Sequence, residues 1–344
     1  MKAKLLFLAT RPGFLSASLV CVLIGLAAGW ARSHRVDPLA ALVVLVASVL
    51  VHAAADMLND YDDHLSGADE ANHDYISPLS GGSRFIQMGL LRAAEVHCAA
   101  LTLLAIGVGL FLLLALRSGP FMLLIAGVCA FSALAYTGNP LRLAYRGLGE
   151  LLVGLDFGPV LVSAGYYAQA RTFPVVALWV TLPMAFLVAA ILYVNEMPDY
   201  VGDRAAGKRT LVVRLGRRRA SYGYALLMAL TYLSIIAGVI AHQAPLQALL
   251  ALGSLPLAVA ASRTVLRHYD DPPAMSPANV QTIANQFLTG LLLAVAYCSA
   301  AVARPFWPLL IGSGLAVFLT VRTYANVDGM RRAFLAQKAA MPQP

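Results

Sequence analysis

The sequence predicts an all-α, polytopic membrane protein: a helical bundle of nine or ten transmembrane helices with two acidic motifs on the cytoplasmic side. Of the 344 residues, 60% are apolar or aromatic. Only 12% are charged, about half the share in an ordinary soluble domain. Apolar runs of about 20 residues, the length needed to cross a bilayer, recur along almost the whole chain. This composition excludes a water-soluble fold, a disordered chain and a disulfide-stapled secreted domain.

Ten apolar segments, separated by polar stretches, are the candidate spans. In chain order they cover residues 13–30, 38–58, 94–116, 119–137, 148–168, 173–196, 220–241, 244–262, 280–303 and 305–321. The last segment is the shortest, so the apolar pattern by itself leaves nine or ten crossings open. We divide the chain into a transmembrane bundle, residues 1–303, and an extra span with a basic cytoplasmic tail, residues 304–344.

The basic residues are distributed unevenly between the connections. The formal net charge is +8, which in a membrane protein is expected in cytoplasmic loops, so we expect no nucleic-acid partner. With a cytoplasmic N-terminus and ten crossings, twenty of the 25 Lys and Arg residues are cytoplasmic. The other five are Arg32, Arg35, Arg117, Arg171 and Arg304. The bias predicts that both termini are cytoplasmic, because nine crossings would put the basic tail on the other side.

Two connections on the cytoplasmic side are unusually long and acidic. Each follows an even-numbered span and contains the pattern N-[DE]-x-x-D. Asn59 and Asp63 are four residues apart, as are Asn195, Asp199 and Asp203. Residues at this spacing share one helix face. The two motifs are also four spans apart, so we interpret spans one to four and five to eight as a candidate duplication in which both carboxylate clusters converge.

The spacing of these carboxylates indicates a site for a hard cation. Carboxylates so close together repel one another and resist ionisation unless a cation compensates their charge. Mg²⁺ prefers oxygen ligands and keeps positions for water and substrate phosphates. Lys208, Arg209 and Arg84 lie beside the motifs, where cations can contact phosphate oxygens. A single motif would more often be a set of solvated surface groups, but two matching motifs favour a diphosphate–magnesium clamp.

Further motifs surround the acidic patterns. They are Arg11-Pro12, the Ser-Gly-Gly-Ser-Arg stretch at 80–84, residues 136–150, and the Gly-Lys-Arg-Thr stretch at 207–210. Together with the acidic motifs, these stretches resemble the UbiA superfamily of intramembrane prenyltransferases over roughly residues 10–300. Residues 80–84 and 145–150 are similar to the menaquinone branch, whose members prenylate 1,4-dihydroxy-2-naphthoate with loss of its carboxylate.

The resemblance implies Mg²⁺-dependent transfer of a polyprenyl chain from an allylic diphosphate to an aromatic acceptor within the lipid bilayer. The metal ligands that it implies are Asn59, Asp63, Asp69, Asn195, Asp199 and Asp203. The implied diphosphate ligands are Lys208, Arg84 and Arg209. We assign Asp63, Asp199 and Asp203 as catalytic residues, with Tyr136 and Asp156 as further catalytic candidates, and we assign Arg142, Tyr145 and Arg146 as candidate acceptor ligands. We expect an integral protein of a bacterial or archaeal plasma membrane, with an active site that faces the cytoplasm.

Several alternatives stay open at this stage. Asp56 stands where menaquinone-type members usually have Asn, and Asp156 places an acid inside span five, so the acceptor could be another quinone precursor or a lipid. Tyr136 and Tyr145 could equally be interfacial aromatic anchors, and the basic residues after span four could simply follow the topology rule. An ion-coupled transporter would also have about ten spans and intramembrane acids, but those acids lie near the midplane.

Overall fold

The computed structural model describes residues 2–174, 177–303 and 305–340, and these parts of the chain contain helices and no strands. Nine helices in these ranges are long and apolar enough to cross a membrane, and one shorter apolar helix accompanies them. Each of the ten predicted spans overlaps one of these ten helices. The structure therefore confirms the predicted all-α membrane bundle.

The ten helices are numbered in chain order. They are α1 (Pro12–Ser33), α2 (Pro38–Ser66), α3 (Ala93–Ser118), α4 (Phe121–Ala135), α5 (Gly149–Ala170), α6 (Leu178–Ala205), α7 (Arg217–Ile240), α8 (Leu246–His268), α9 (Pro272–Ala300) and α10 (Phe306–Ala340). Helix α5 contains a π-helical segment at Asp156–Val162, and α8 begins with 3₁₀ geometry at Leu246–Ser254. Short helices lie outside the bundle at Lys2–Ala9, Ala68–Ala71, Leu143–Arg146 and Leu211–Leu215.

Helices α2 and α6 extend beyond the predicted spans, which end at residues 58 and 196. Helix α2 continues to Ser66 and α6 continues to Ala205, so both acidic motifs lie on helices, as their spacing predicts. Hydropathy marks where charge begins, whereas a helix ends where its backbone is capped. In α2 the cap is Gly67, whose φ of 76° is the left-handed conformation that favours glycine.

Helix α10 likewise extends beyond the predicted tenth span, which ends at residue 321, and continues to Ala340. Its last turns are charged, and they are stabilised by pairs within the helix. Asp328 accepts a hydrogen bond of 2.6 Å from Arg331 and pairs with Arg332. Arg304, which the charge pattern placed on the opposite side, and residues 341–344 of the tail lie outside the described residues.

Helix α9 is the centre of the bundle, with α1, α6, α8 and α10 packed around it. Helices α1 and α5 approach each other closely because Gly25 faces Gly165 and neither residue has a side chain at the contact. Small residues of this kind allow close approach of helices in membranes. The arrangement places α2, α5 and α6 around one internal cavity.

The end of α10 lies at the same face of the bundle as the acidic motifs. The Lys338 ammonium donates a hydrogen bond of 2.7 Å to the carbonyl oxygen of His73, in the segment that follows the first motif. Helix α10 therefore runs back along α9 to this face of the bundle. The geometry thus agrees with ten crossings, while the side of the membrane stays a prediction.

We predict that a reporter fused after Pro344 is cytoplasmic, whereas a reporter inserted between His34 and Asp37 is on the other side. The physical reason is the positive-inside bias combined with the placement of Lys338 beside the acidic face. Paired alkaline phosphatase and fluorescent protein fusions measure the outcome. A periplasmic signal at Pro344 would mean that α10 lies along the interface.

Candidate active site

Both acidic motifs line one cavity of ≈ 210 Å³. The polar lining from α2 and α6 includes His52, Asp56, Asn59, Asp63, Asn195, Glu196, Asp199 and Asp203. Asp69 and Lys208 join this lining from the segments that follow the two helices. The structure therefore brings together all six residues for which metal binding was predicted.

A lysine ammonium lies between the two motifs. Nζ of Lys208 is 2.7 Å from Oδ2 of Asp63 and 3.7 Å from Oδ1 of Asp203, and the side chain is buried. Gly207, with a φ of 73°, turns the chain back at the end of α6 and allows this approach. Burial alone would lower the pKa of Lys208, but Asp203 and Asp63 outweigh it and hold the pKa well above its usual value.

The carboxylates around Lys208 exceed the positive charge available to them. Burial raises the pKa of Asp69 to about 7, and repulsion from Asp63 and Asp60 adds to the shift. A neighbouring Gln87 amide donates a hydrogen bond of 2.9 Å to Asp69, but it brings no charge. An additional cation bound in this site would compensate the excess negative charge.

The oxygen donors suit Mg²⁺, although they are not arranged as a closed metal site. Within the described residues, no three His, Cys, Asp or Glu side chains are close enough together to hold a metal ion as they stand. Asp63 and Asp203 nevertheless already converge on one cation, the Lys208 ammonium. This carboxylate-rich donor set is the kind that hard divalent cations prefer, and Lys208 marks the position where positive charge is stabilised.

Asp199 is held by the segment 72–84, which we call the donor loop. The Asn72 amide donates a hydrogen bond of 2.6 Å to Oδ1 of Asp199, and the backbone N–H of Gly81 donates one of 3.0 Å to Oδ2. Both carboxylate oxygens are therefore oriented by one loop. Gly81 has a φ of 75°, and a Cβ there would overlap the side chain of Tyr75.

Among the predicted diphosphate ligands, Lys208 lines the cavity, whereas Arg84 and Arg209 are not among its lining residues. The buried Arg84 guanidinium donates hydrogen bonds to the carbonyl oxygens of Asp69 and Asn72 and stacks on the ring of Tyr75 at 3.9 Å. These partners give Arg84 a role in ordering the donor loop. The sequence pattern missed this role because it gives position along the chain but not side-chain direction.

Arg11 is the other Lys or Arg residue that lines the cavity. Its guanidinium pairs with Asp60 and donates a long hydrogen bond of 3.4 Å to Oδ1 of Asn59. Asp60 also accepts hydrogen bonds from the backbone N–H of Ser83. The sequence analysis noted the Arg11-Pro12 pair without assigning it a function. Only the fold shows that the start of α1 reaches the first acidic motif.

The predicted acceptor ligands lie on the outer side of Asp63. The Tyr145 hydroxyl donates a hydrogen bond of 2.9 Å to Oδ1 of Asp63, and Arg142 stacks on the Tyr145 ring at 3.6 Å. Burial, with the added charge of Asp63, raises the pKa of Tyr145 to about 12. Arg146 donates to the carbonyl oxygen of Pro140, 3.2 Å away. None of these three residues is among those that line the cavity. The geometry connects Tyr145 directly, and Arg142 through the Tyr145 ring, with the orientation of Asp63, whereas Arg146 contacts its own segment.

Tyr136 and Asp156 do line the cavity. Asp156 lies at the start of the π-helical segment of α5, and its Oδ1 accepts a hydrogen bond of 2.9 Å from Ser132. Irregular turns of this type are frequent at functional sites. The lining also includes apolar side chains, namely Phe14, Val51, Val153, Phe157, Leu161, Val188 and Ile191. The cavity thus combines acidic groups at the helix ends with a large apolar surface.

Comparison with known families identifies this arrangement. Residues 18–285 match the model of the UbiA prenyltransferase family, which is more than half of the chain. The chain belongs to this family. Its members are enzymes that transfer alkyl groups, which agrees with the predicted resemblance and confirms it.

Curated relatives and solved structures agree with this assignment. The chain is 29% identical to 2-carboxy-1,4-naphthoquinone phytyltransferase of Synechocystis sp., over 86% of this chain and 93% of the relative. It is 31% identical to 1,4-dihydroxy-2-naphthoate octaprenyltransferase of Escherichia coli, over 82% and 91%. The UbiA homologue of Aeropyrum pernix shares the fold with a TM-score of 0.62 and 17% identity, covering 82% of this chain and 96% of that chain.

A homologue from Archaeoglobus fulgidus was solved with DMAPP and Mg²⁺ bound, and it shares the fold with a TM-score of 0.53 and 16% identity. It covers 81% of this chain and 96% of its own length. A solved structure of a UbiA homologue therefore contains a prenyl diphosphate and Mg²⁺ together.

We predict that Gly81→Ala lowers prenyl-transfer activity roughly ten-fold or more, because a Cβ at this position pushes Tyr75 away and displaces the N–H that binds Asp199. Gly67→Ala is the matched control, since its φ of 76° is nearly the same but nothing lies within 4 Å of the added Cβ. Both variants carry the left-handed strain, about 1 kcal/mol. Equal losses of activity in the two variants would contradict the assigned role of the donor loop.

Proposed function

We propose that this prenyltransferase uses Mg²⁺ to transfer a polyprenyl chain from an allylic diphosphate to an aromatic acceptor, 1,4-dihydroxy-2-naphthoate. The observation that carries the proposal is the cavity itself, in which two aspartate motifs and one buried lysine lie at the mouth of an apolar space. The relatives named as dihydroxynaphthoate prenyltransferases support the choice of acceptor. The homologue bound to DMAPP and Mg²⁺ supports the choice of donor and metal.

In this proposal Asn59, Asp63, Asp199 and Asp203 hold the metal, with Asp69 and Asn195 beside them. When bound, Mg²⁺ supplies charge stabilisation for the diphosphate as it leaves. Lys208 changes partners on donor binding, from the carboxylate of Asp63 to a phosphate oxygen, so its charge stays compensated throughout. The Tyr145 hydroxyl and the donor loop keep Asp63 and Asp199 oriented while this exchange occurs.

The apolar part of the cavity receives the prenyl chain, and the polar groups near its acidic end receive the acceptor. The allylic C–O bond to diphosphate breaks, a carbon–carbon bond to the ring forms, and the ring carboxylate leaves as CO₂. Tyr136 and Asp156 line this part of the cavity, where they can hydrogen-bond the ring hydroxyls. A membrane location follows, because the product of such a transfer is a lipid.

We predict that turnover requires a divalent cation and that Asp63→Ala and Asp199→Ala abolish it while the protein stays folded in detergent. Each variant removes an oxygen ligand at the place where leaving-group charge develops. Glu70→Ala is the matched control, because Glu70 is more exposed and pairs only with His64 at 2.7 Å. Product formation is measured by mass spectrometry with and without chelator. Wild-type turnover in excess chelator would disprove the metal requirement.

We predict that Lys208→Met raises the apparent KM for the prenyl diphosphate by roughly 10- to 150-fold, the equivalent of a charge-assisted hydrogen bond of about 1.5–3 kcal/mol. The KM for the acceptor should change far less, because the ammonium contacts the carboxylates that bind the donor. Arg204→Met is the control, as a neighbouring exposed cation that does not line the cavity. If Lys208→Met keeps the wild-type KM for the prenyl diphosphate, Lys208 does not bind diphosphate.

The acceptor is tested by incubating the purified protein with Mg²⁺, a polyprenyl diphosphate and a panel of acceptors. The panel contains 1,4-dihydroxy-2-naphthoate, 4-hydroxybenzoate, homogentisate and a glyceryl phosphate. We expect a prenylated, decarboxylated product from the naphthoate, identified by its mass. Prenylation of a different acceptor would keep the reaction type and replace the substrate.

A further inference from the structure

The last four turns of α10 lie outside the part of the chain that matches the family, which ends at residue 285. We call residues 324–340 the α10 extension. Its apolar side chains Tyr324, Val327, Phe334 and Leu335 belong to a small hydrophobic cluster separate from the main core. That cluster also contains Ile76 and Leu79 of the donor loop. The extension therefore packs on the loop that holds Asp199.

Polar contacts join the same two segments. The Lys338 ammonium donates hydrogen bonds to the carbonyl oxygens of His73, at 2.7 Å, and Tyr75, at 3.3 Å. It also lies 5.3 Å from the centre of the Tyr75 ring, and the Phe334 ring lies 5.5 Å from the same ring. Arg84 contacts the Tyr75 ring at 3.9 Å. Tyr75 is thus held by Arg84 from within the loop and by two side chains of the α10 extension.

Tyr75 is connected to Asp199 through packing contacts, hydrogen bonds and short stretches of backbone. Gly81 packs directly on Cβ of Tyr75, and its N–H binds Oδ2 of Asp199. On the other side, the carbonyl oxygen of Asn72 accepts a hydrogen bond from Arg84, and the side-chain amide of Asn72 donates one to Oδ1 of Asp199. A loop that lost its hold on Tyr75 would release both hydrogen bonds to this carboxylate. Loops are otherwise the least stable part of a fold.

We propose that the α10 extension is a positioning element of the donor site, in which Lys338 and Phe334 fix the donor loop and thereby orient Asp199. This inference rests on the proposed function, since it assigns Asp199 to the metal and diphosphate. Lys338 and Phe334 do not line the cavity, so they act on the donor only through the loop. The donor loop is also held by an ion pair of 3.7 Å between Asp74 and Arg217 of α7. This ion pair keeps the loop attached to the bundle when the α10 extension is altered.

The test uses the full-length protein with Lys338→Met and Phe334→Ala. Each variant should raise the KM for the prenyl diphosphate about three- to ten-fold, the range expected for loss of one hydrogen bond or a similar contact. The KM for the acceptor should stay within about two-fold of the wild-type value. Lys338→Arg should keep the wild-type KM for the prenyl diphosphate, because arginine retains the positive charge and N–H groups that can donate hydrogen bonds. Amide hydrogen exchange across residues 72–84 should accelerate in both variants.

Two variants on the same helix are matched controls. Arg332→Met removes a cation that pairs only with Asp328 of its own helix, and Phe318→Ala removes an aromatic ring that is 61% exposed on the spanning part. Both should keep wild-type donor kinetics. Lys338→Met and Phe334→Ala with an unchanged KM for the donor would overturn the inference. Hydrogen exchange across residues 72–84 tests the inference without catalysis. A wild-type protein that prenylates no acceptor would therefore disprove only the proposed function.

Discussion

The ion pair between Lys208 and Asp63, with Asp203 beside it, is the interaction on which the rest of the site depends. Removing one partner of a buried ion pair leaves an uncompensated charge that costs about 3–5 kcal/mol. The structure accordingly surrounds this pair with further compensation. Tyr145 donates to Asp63 from one side, and Arg11 balances Asp60 one turn away. The connection after α6 carries Lys208 back over the helix end, and the connection after α2 brings the backbone N–H of Ser83 to Asp60.

The apolar pattern predicted all ten helices, since a crossing needs a long apolar run and little else. The motif spacing also predicted which acidic residues meet, because residues four apart share a helix face. What the sequence did not predict were helix caps and side-chain directions. Helix α2 continues eight residues past its predicted span to Ser66, and its Gly67 cap is a local backbone property that hydropathy does not measure. Arg84 turns into its own loop because two carbonyl oxygens there need a donor.

Arg11 illustrates a different limit of sequence reasoning. It precedes α1 and is separated from Asp60 by almost fifty residues, so no local spacing connects the two. The close packing of the bundle, set by α9 and by the small residues between α1 and α5, brings the start of α1 to the end of α2. In the sequence such a cation looks like an ordinary positive-inside residue, whereas in the fold it compensates the charge of Asp60. The metal and substrate roles of the site residues stay predictions for the experiments above.

The distribution of polarity along the cavity argues for a transferase rather than an ion-coupled transporter. Transporter acids lie near the membrane midplane on interrupted helices, where both sides can reach them. Here Asp63 and Asp203 lie at helix ends on one face, and the chain closes over them with Lys208 and the donor loop. The same cavity is also lined by many apolar side chains, which suit a hydrocarbon chain. Acidic groups and an apolar wall in one cavity match a prenyl diphosphate, whose head and tail need these two environments side by side.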